Sequence, residues 1–249
     1  MVINKKRKIS LLKELFSGWT VLFHLVFYFV VNAAFVTMLT KNTLISVIVA
    51  IPATYIFFNA VSLVQKTIEK RMLILQEINK YTTSLTFYLN SGQNVPDALK
   101  NTAELVHPLL RADINKTIEI LSKNAKLDTS HFQKFHLTSL DLFHQTLLVK
   151  YDKGGNAQEI FMKPFQAVQF EISEIDGLVR SKEATSKQIY VMILFVCGIA
   201  GGIAFLPGDI YTNFLSVPTS IFVVLGFYGV ILYNISALQK DKADISLRL

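Results

Sequence analysis

Residues 23–31 read FHLVFYFVV, and a helix built from this stretch would have no polar face. A surface helix of a soluble protein is polar on one side, whereas a helix that is apolar all round is buried in a large core or in a membrane. The stretch belongs to Leu15–Thr40, a run of 26 residues without charge. Because about 20 apolar residues cross the hydrocarbon core of a bilayer, we predict a membrane-spanning helix over residues 18–39.

Three further runs without charge have 24, 21 and 30 residues, namely Asn42–Gln65, Gln188–Gly208 and Ile210–Gln239. Each is long enough to cross a bilayer. The composition agrees, because 51% of the 249 residues are hydrophobic and only 17% are charged, against about 25% in a soluble domain. We therefore predict an all-α polytopic membrane protein. Its four transmembrane helices form two hairpins, residues 18–64 (18–39 and 44–64) and residues 189–238 (189–206 and 217–238).

The distribution of basic residues predicts the orientation. Residues 5–8 are KKRK, whereas the first link between spans contains only Lys41 and the second only Asp209 as charged residues. Cytosolic segments of membrane proteins carry the excess of Lys and Arg. The first apolar run is too long for the core of a signal peptide, so we expect it to be retained. These patterns predict a multi-pass protein of the inner (cytoplasmic) membrane, with cytosolic segments at residues 1–17, 66–187 and 239–249.

The middle region, residues 66–187, has the charge content of a soluble domain, with 16 basic and 14 acidic residues. Apolar residues recur at helical spacing throughout, which predicts a cytosolic helical bundle. The second span is expected to continue into this domain as one helix ending at Asn90, and the last helix of the domain to continue into the third span. Asp128, Thr129 and Ser130 are typical of a helix N-cap and predict a helical stretch that ends at Lys153.

Two segments of this domain share the pattern Gly-x-Asn-x-x-acid-apolar-apolar, beginning at Gly92 and Gly154. Glycine permits the left-handed backbone that ends a helix. Asparagine can cap the next helix, and the acidic residue favours its positive end. The pattern thus predicts two sharp helix–helix turns, and it lacks the Lys and Ser/Thr of a phosphate-binding loop. The predicted turn and cap residues are Gly92, Asn94, Asp97, Gly154, Gly155, Asn156 and Glu159.

No set of residues in the sequence is typical of catalysis, of a metal site or of a cofactor site. The histidines lack the spacing of a zinc protease helix, and we expect His131 and His136 to be partly exposed helix residues. Cys197 is alone in the chain, and no basic helix with interleaved aromatic residues predicts nucleic-acid binding. Gly198 and Gly202 have the spacing that lets another helix approach closely, either from the same chain or from a second copy.

Order and spacing of these features resemble the type II secretion system F family. The resemblance lies in residues 91–99 (SGQNVPDAL) after the first helix of the domain and in residues 151–161 (YDKGGNAQEIF) before a long helix that feeds a membrane span. It covers roughly residues 81–206. It is closest to the tight-adherence branch of the family, in which one such domain is followed by paired spans.

The resemblance implies a scaffold without enzymatic activity. It implies an inner-membrane platform protein of type II secretion, of type IV pili or of tight-adherence pili. Such a protein couples a secretion-type hexameric ATPase in the cytosol to the assembly of pilin-like subunits, and it works with another platform subunit or as a homo-oligomer. Exposed charges such as Lys100, Arg111 and Lys116 are then expected to contribute to docking of the ATPase. Two alternatives are a membrane sensor or signalling subunit with a helical relay domain and the membrane subunit of a transporter.

Overall fold

The computed structural model describes residues 18–206 and 209–247, and every regular element in these residues is a helix or a helical turn. The predicted N-terminal basic segment lies outside the described residues. In chain order the elements are α1 Gly18–Thr40, α2 Thr43–Phe57, a π-turn Phe58–Leu63, α3 Val64–Asn90, α4 Val95–Leu105, α5 Pro108–Asn124, a 3₁₀ turn Ser130–Phe135, α6 Thr138–Lys153, α7 Ala157–Ala204, α8 Ile210–Ser216 and α9 Ser220–Leu247.

Four helical segments are long and apolar enough to cross a membrane, and each overlaps one of the four runs without charge: Gly18–Thr40, Thr43–Asn90, Ala157–Ala204 and Ser220–Lys242. The prediction of an all-α chain with four such helices is confirmed. The chain is therefore read as a multi-pass membrane protein. The cytosolic position of the middle region and of the termini stays a prediction.

The described residues divide into two compact units. Unit 1 contains the described residues up to Ile68 together with those from Ser181 to Ser246, and unit 2 contains Glu69–Arg180. Helices α3 and α7 each contribute residues to both units. The chain thus enters and leaves unit 2 within two uninterrupted helices.

In unit 1, α1 and α2 form a hairpin. Lys41 adopts a left-handed conformation with φ 53°, and Asn42 caps α2 by accepting hydrogen bonds from the backbone N–H groups of Leu44 and Ile45 at 3.0 and 3.2 Å. Tight turning at these two residues is why the two apolar runs lie side by side. The link between the third and fourth spans is longer than predicted, because α8 precedes Pro218 and α9 begins only at Ser220.

Polar side chains join the helices of unit 1 at a few interior points. The Tyr28 hydroxyl hydrogen-bonds to Ser62 Oγ at 2.9 Å and so connects α1 to the π-turn. One turn further along α1, Asn32 donates to the Tyr28 carbonyl at 2.7 Å and accepts a hydrogen bond from the Tyr228 hydroxyl of α9. Each buried polar group of this row has a partner, as groups removed from water require.

Unit 2 is held together by an apolar core to which α3, α4, α5, α6 and α7 all contribute. Its largest fully buried side chains include Tyr81, Phe132, Phe143 and Phe161. The ring of Tyr81 stacks on Phe132 with 5.7 Å between centroids, and Phe143 packs against Phe161 at 5.2 Å. Aromatic pairs at these separations stabilise a core beyond their area alone.

The predicted helical stretch from Asp128 to Lys153 is wrong in part, because it is broken in the middle. Asp128 does accept a hydrogen bond from the Ser130 N–H at 2.9 Å. However, only a 3₁₀ turn follows, and His136 then adopts a left-handed conformation with φ 54° before α6 begins at Thr138. Tertiary contacts outweigh local helix propensity here, because Phe132 on one side of the break and Leu137 beyond it are both buried in the core.

Candidate functional site at one end of unit 2

The first glycine turn joins α3 to α4. Gly92 has φ 89°, a conformation that strains any residue with a side chain, and Gln93 donates its N–H back to the Tyr88 carbonyl at 3.1 Å. Asn94 then caps α4, since its Oδ1 accepts the N–H of Asp97 at 2.9 Å. These contacts satisfy backbone groups that a helix end leaves open.

The second glycine turn joins α6 to α7. Gly154 and Gly155 have φ 74° and 103°, and the N–H of Gly154 bonds to the Lys150 carbonyl at 3.1 Å. Asn156 Oδ1 accepts the N–H of Gln158 at 3.1 Å, and its Nδ2 donates to Glu159 Oε1 at 3.2 Å.

The two turns use matching residues in matching ways. Leu99 and Phe161, five residues after the capping asparagines, are both fully buried, whereas the acidic residues Asp97 and Glu159 are both exposed. The shared sequence pattern is thus explained by local backbone geometry and by one core contact in each helix.

Two hydrogen bonds, one within each pair of helices, define how the helices of unit 2 run. The His107 N–H donates to Glu77 at 2.6 Å, and the Ser139 N–H donates to Glu171 at 2.9 Å. Each bond joins points about 13 residues from the intervening turn, which is about 20 Å along a helix. The pairs α3–α4 and α6–α7 are therefore both antiparallel hairpins.

Two contacts between the hairpins put both glycine turns at the same end. Gln169 of α7 donates to Asn79 of α3 at 2.6 Å. Two residues further along α3, the Tyr81 hydroxyl hydrogen-bonds to His144 of α6 at 3.0 Å. In the antiparallel α6–α7 hairpin, Gln169 lies level with about residue 141 of α6, because Glu171 bonds to Ser139. Residues 79 and 81 of α3 are therefore level with about residues 141 and 144 of α6, so α3 and α6 run in the same direction and the turns of residues 91–94 and 154–156 lie at one end of unit 2.

A third loop reaches the same end. Helix α5 starts next to His107 and runs toward this end, where the Tyr151 hydroxyl donates to the Ala125 carbonyl at 3.3 Å. The 3₁₀ turn returns along α5, since Lys134 forms a salt bridge with Asp113 at 2.6 Å and His131 bonds to the Asp113 carbonyl at 2.9 Å. We call the surface formed by residues 91–94, 124–128 and 152–156 the turn end of unit 2.

The turn end is polar and carries both signs of charge. Lys126, Asp152 and Lys153 are exposed there. Lys100 and Lys116 are also exposed, on α4 and α5. Such a surface is suited to a reversible interaction with a charged partner, because exposed charges mainly set association rate and salt dependence.

Arg111 differs from the other basic residues that were expected to dock a partner. Its guanidinium donates to the carbonyls of Ala103, Glu104 and Val106 at 2.8 to 3.1 Å and so closes the end of α4. This role could not be predicted from the sequence, because an arginine in the first turn of a helix that begins at proline is ordinary. Reversing this charge would disrupt the α4–α5 junction, so Arg111 is unsuitable as a probe of docking.

His144 is a buried polar residue that the sequence did not single out. It is 2% exposed, its Nε2 bonds to Tyr81, and its ring lies 4.5 Å from that of Phe132. Burial, and to a smaller extent the nearby His131, lower the pKa of His144 to about 3. Of the other two histidines, His136 is exposed, and His131 is half-buried with its Nε2 3.3 Å from Thr117 Oγ1.

The glycine pair of the third span is open in the structure. A Cβ at Gly198 or Gly202 would meet nothing within 4 Å, whereas one at Gly201 would meet the Met38 methyl at 2.9 Å. The close approach of α1 to α7 is therefore made at Gly201. Across the described ranges 18–206 and 209–247, no three His, Cys, Asp or Glu residues come together as metal ligands would.

Comparison with protein-family models, with curated proteins and with solved structures found no match to this chain.

Proposed function

We propose that this chain is an inner-membrane platform protein of a type II secretion or pilus-like machine, which couples a cytosolic ATPase to the assembly of pilin-like subunits. One observation carries the proposal. Both glycine turns lie at the end of unit 2 remote from Glu69 and Arg180, where α3 and α7 continue into apolar segments. The resemblance in residues 91–99 and 151–161 supports the same class of protein.

The proposed role is mechanical rather than chemical. The turn end would contact the ATPase, and α3 and α7 would carry displacement along their length, because each is hydrogen-bonded from unit 2 into its apolar segment without an intervening loop. Rigid helices with two arrangements are a physical means of coupling separate sites.

The experiment is deletion and complementation of the gene in the native host, together with binding of the purified full chain in nanodiscs to a secretion-type ATPase of the same host. We expect loss of secretion or pilus assembly on deletion. Lys126→Glu and Lys153→Glu, each made singly, should weaken ATPase binding in a salt-dependent way. Lys80→Glu is the matched control, because Lys80 is exposed on α3 but lies about 15 Å from the turn end.

Normal secretion in the deletion strain, together with no binding of the full chain to the ATPase, would refute the proposal. Binding that is equally weakened by the turn-end and control variants would refute the turn end as the docking surface.

A further inference from the structure

A cluster of polar residues lies in unit 1 at the start of the third charge-free run and the end of the fourth. Tyr190 of α7 is two residues into the run that starts at Gln188, and Gln239 of α9 is the last residue of its run. In a membrane-spanning helix, these positions lie at the level of lipid head groups, where tyrosine and lysine are enriched.

Lys242 is a buried cation without a bonded anion. It is only 9% exposed, and its Nζ lies 5.8 Å from the centroid of the Tyr190 ring. Among the residues that the structure describes, it makes no hydrogen bond or salt bridge. Glu183 and Lys187 both interact with it electrostatically, but their charges are opposite. The neighbouring acid, Asp241, is already paired with Lys182.

Gln239 has a second polar group without a hydrogen-bond partner beside Lys242. It is 3% exposed, and one end of its amide is hydrogen-bonded to the Tyr190 hydroxyl. The other end, Oε1, is buried without a partner. The oxygen and nitrogen of an amide are assigned from the hydrogen-bond network, so reversing this amide would leave Nε2 open instead. Residues three apart on a helix share a face, so this amide and the Lys242 ammonium lie together.

We propose that Lys242, Gln239 and Tyr190 form a binding site for the phosphate head group of an anionic phospholipid. A buried ammonium that no anion contacts directly is costly, and a phosphate would supply a bonded counter-ion. The open end of the amide bonds to the same head group, either to a phosphate oxygen or to a hydroxyl of the glycerol moiety. A lipid is favoured over free phosphate because exposed apolar residues such as Val191 and Tyr233 continue from the site along α7 and α9 and would contact the acyl chains.

The experiment uses the full chain in nanodiscs of phosphatidylcholine with increasing mole fractions of phosphatidylglycerol, and it follows the thermal unfolding midpoint. Wild-type protein should be stabilised by phosphatidylglycerol. Lys242→Gln should need about tenfold more anionic lipid for the same shift, which corresponds to the loss of one hydrogen bond to a charged group. Lys240→Gln is the matched control. It removes the same charge from an exposed side chain two positions before Lys242, and it should retain the wild-type response.

Gln239→Glu provides a second variant that does not depend on loss of stability. It places a carboxylate beside Lys242, so the protein should become more stable in pure phosphatidylcholine and should lose its response to phosphatidylglycerol. An equal response of the Lys242 and Lys240 variants, or an unchanged response of the Gln239 variant, would overturn the proposal. Inorganic phosphate that stabilises the protein in phosphatidylcholine as well as the lipid does would overturn the lipid as the source. These outcomes do not depend on the platform function.

Discussion

Protonation of His144 should make the stability of the protein depend on pH in a defined window. In the unfolded chain its imidazole titrates near pH 6.5, whereas burial lowers the folded pKa to about 3. Between pH 3 and pH 6.5, the unfolded state therefore binds a proton at this residue that the folded state does not bind. The contribution is fully present above pH 6.5 and is lost as the pH falls toward 3. A histidine that is buried in its neutral form therefore stabilises the folded state more at high pH than at low pH.

The size of the effect follows from the two pKa values. Between pH 7 and pH 5, preferential protonation of the unfolded state lowers the free energy of unfolding by about 2 kcal/mol through this one residue. Carboxylates titrate mainly below this window, so a difference between variants isolates the histidine. The proposed variant is His144→Gln, which is neutral at all these pH values and can still hydrogen-bond to Tyr81.

The measurement is denaturant unfolding of the full chain in detergent at pH 7 and pH 5, by a probe of unit 2. We expect wild type to lose about 2 kcal/mol more than His144→Gln over this range. His136→Asn is the control, because it removes an exposed imidazole and asparagine tolerates the left-handed backbone at this position. A pH dependence in His144→Gln equal to that of wild type would show that the buried histidine does not titrate as argued.

Two further predictions concern the second glycine turn and the topology. Asn156→Ala should destabilise the protein by about 0.5–2 kcal/mol through loss of the helix cap. Gly155→Val should destabilise it at least as much, because φ is 103° at this residue. Unfolding measurements that show no loss of stability for either variant would refute the turn geometry. In a Cys197→Ala background, an impermeant thiol reagent should label Thr212→Cys on intact cells but Lys126→Cys only after permeabilisation, and labelling of position 126 from outside would reverse the predicted orientation.

The parts of the fold that the sequence could predict are those controlled by local signals. Long runs without charge identify helices that can span a membrane, because length and apolarity alone decide this. The glycines at 92 and 154 and the asparagines that follow them mark turns whose requirements are met within a few residues. The continuity of α7 from the domain into the third span could also be predicted, since its apolar seam from Phe161 to Val179 contains only one proline and one glycine.

The parts that could not be predicted depend on residues far apart in the chain. His144 is buried because Tyr81, 63 residues earlier, provides its hydrogen-bond partner and Phe132 covers it. The break at His136 arises because Asp113 of α5 holds both His131 and Lys134. Tyr228 and Asn32 are 196 residues apart, and neither is unusual in its own segment. Partners of this kind have no signature in a single sequence.

The placement of the glycine turns shows how much a local motif leaves undecided. Each motif requires a sharp reversal of the chain, but it does not say on which side of the domain the reversal lies. That is decided by Asn79–Gln169 and Tyr81–His144, two polar contacts between hairpins that are otherwise joined by apolar packing. Apolar contacts tolerate sliding, whereas a hydrogen bond between two buried side chains fixes one register, because every other register leaves a polar group unpaired. The common end of the two turns is therefore specified by the buried pair Tyr81–His144 together with the half-buried pair Asn79–Gln169. Replacing Tyr81 and His144 together by apolar residues of similar size should loosen that register even where the core stays apolar.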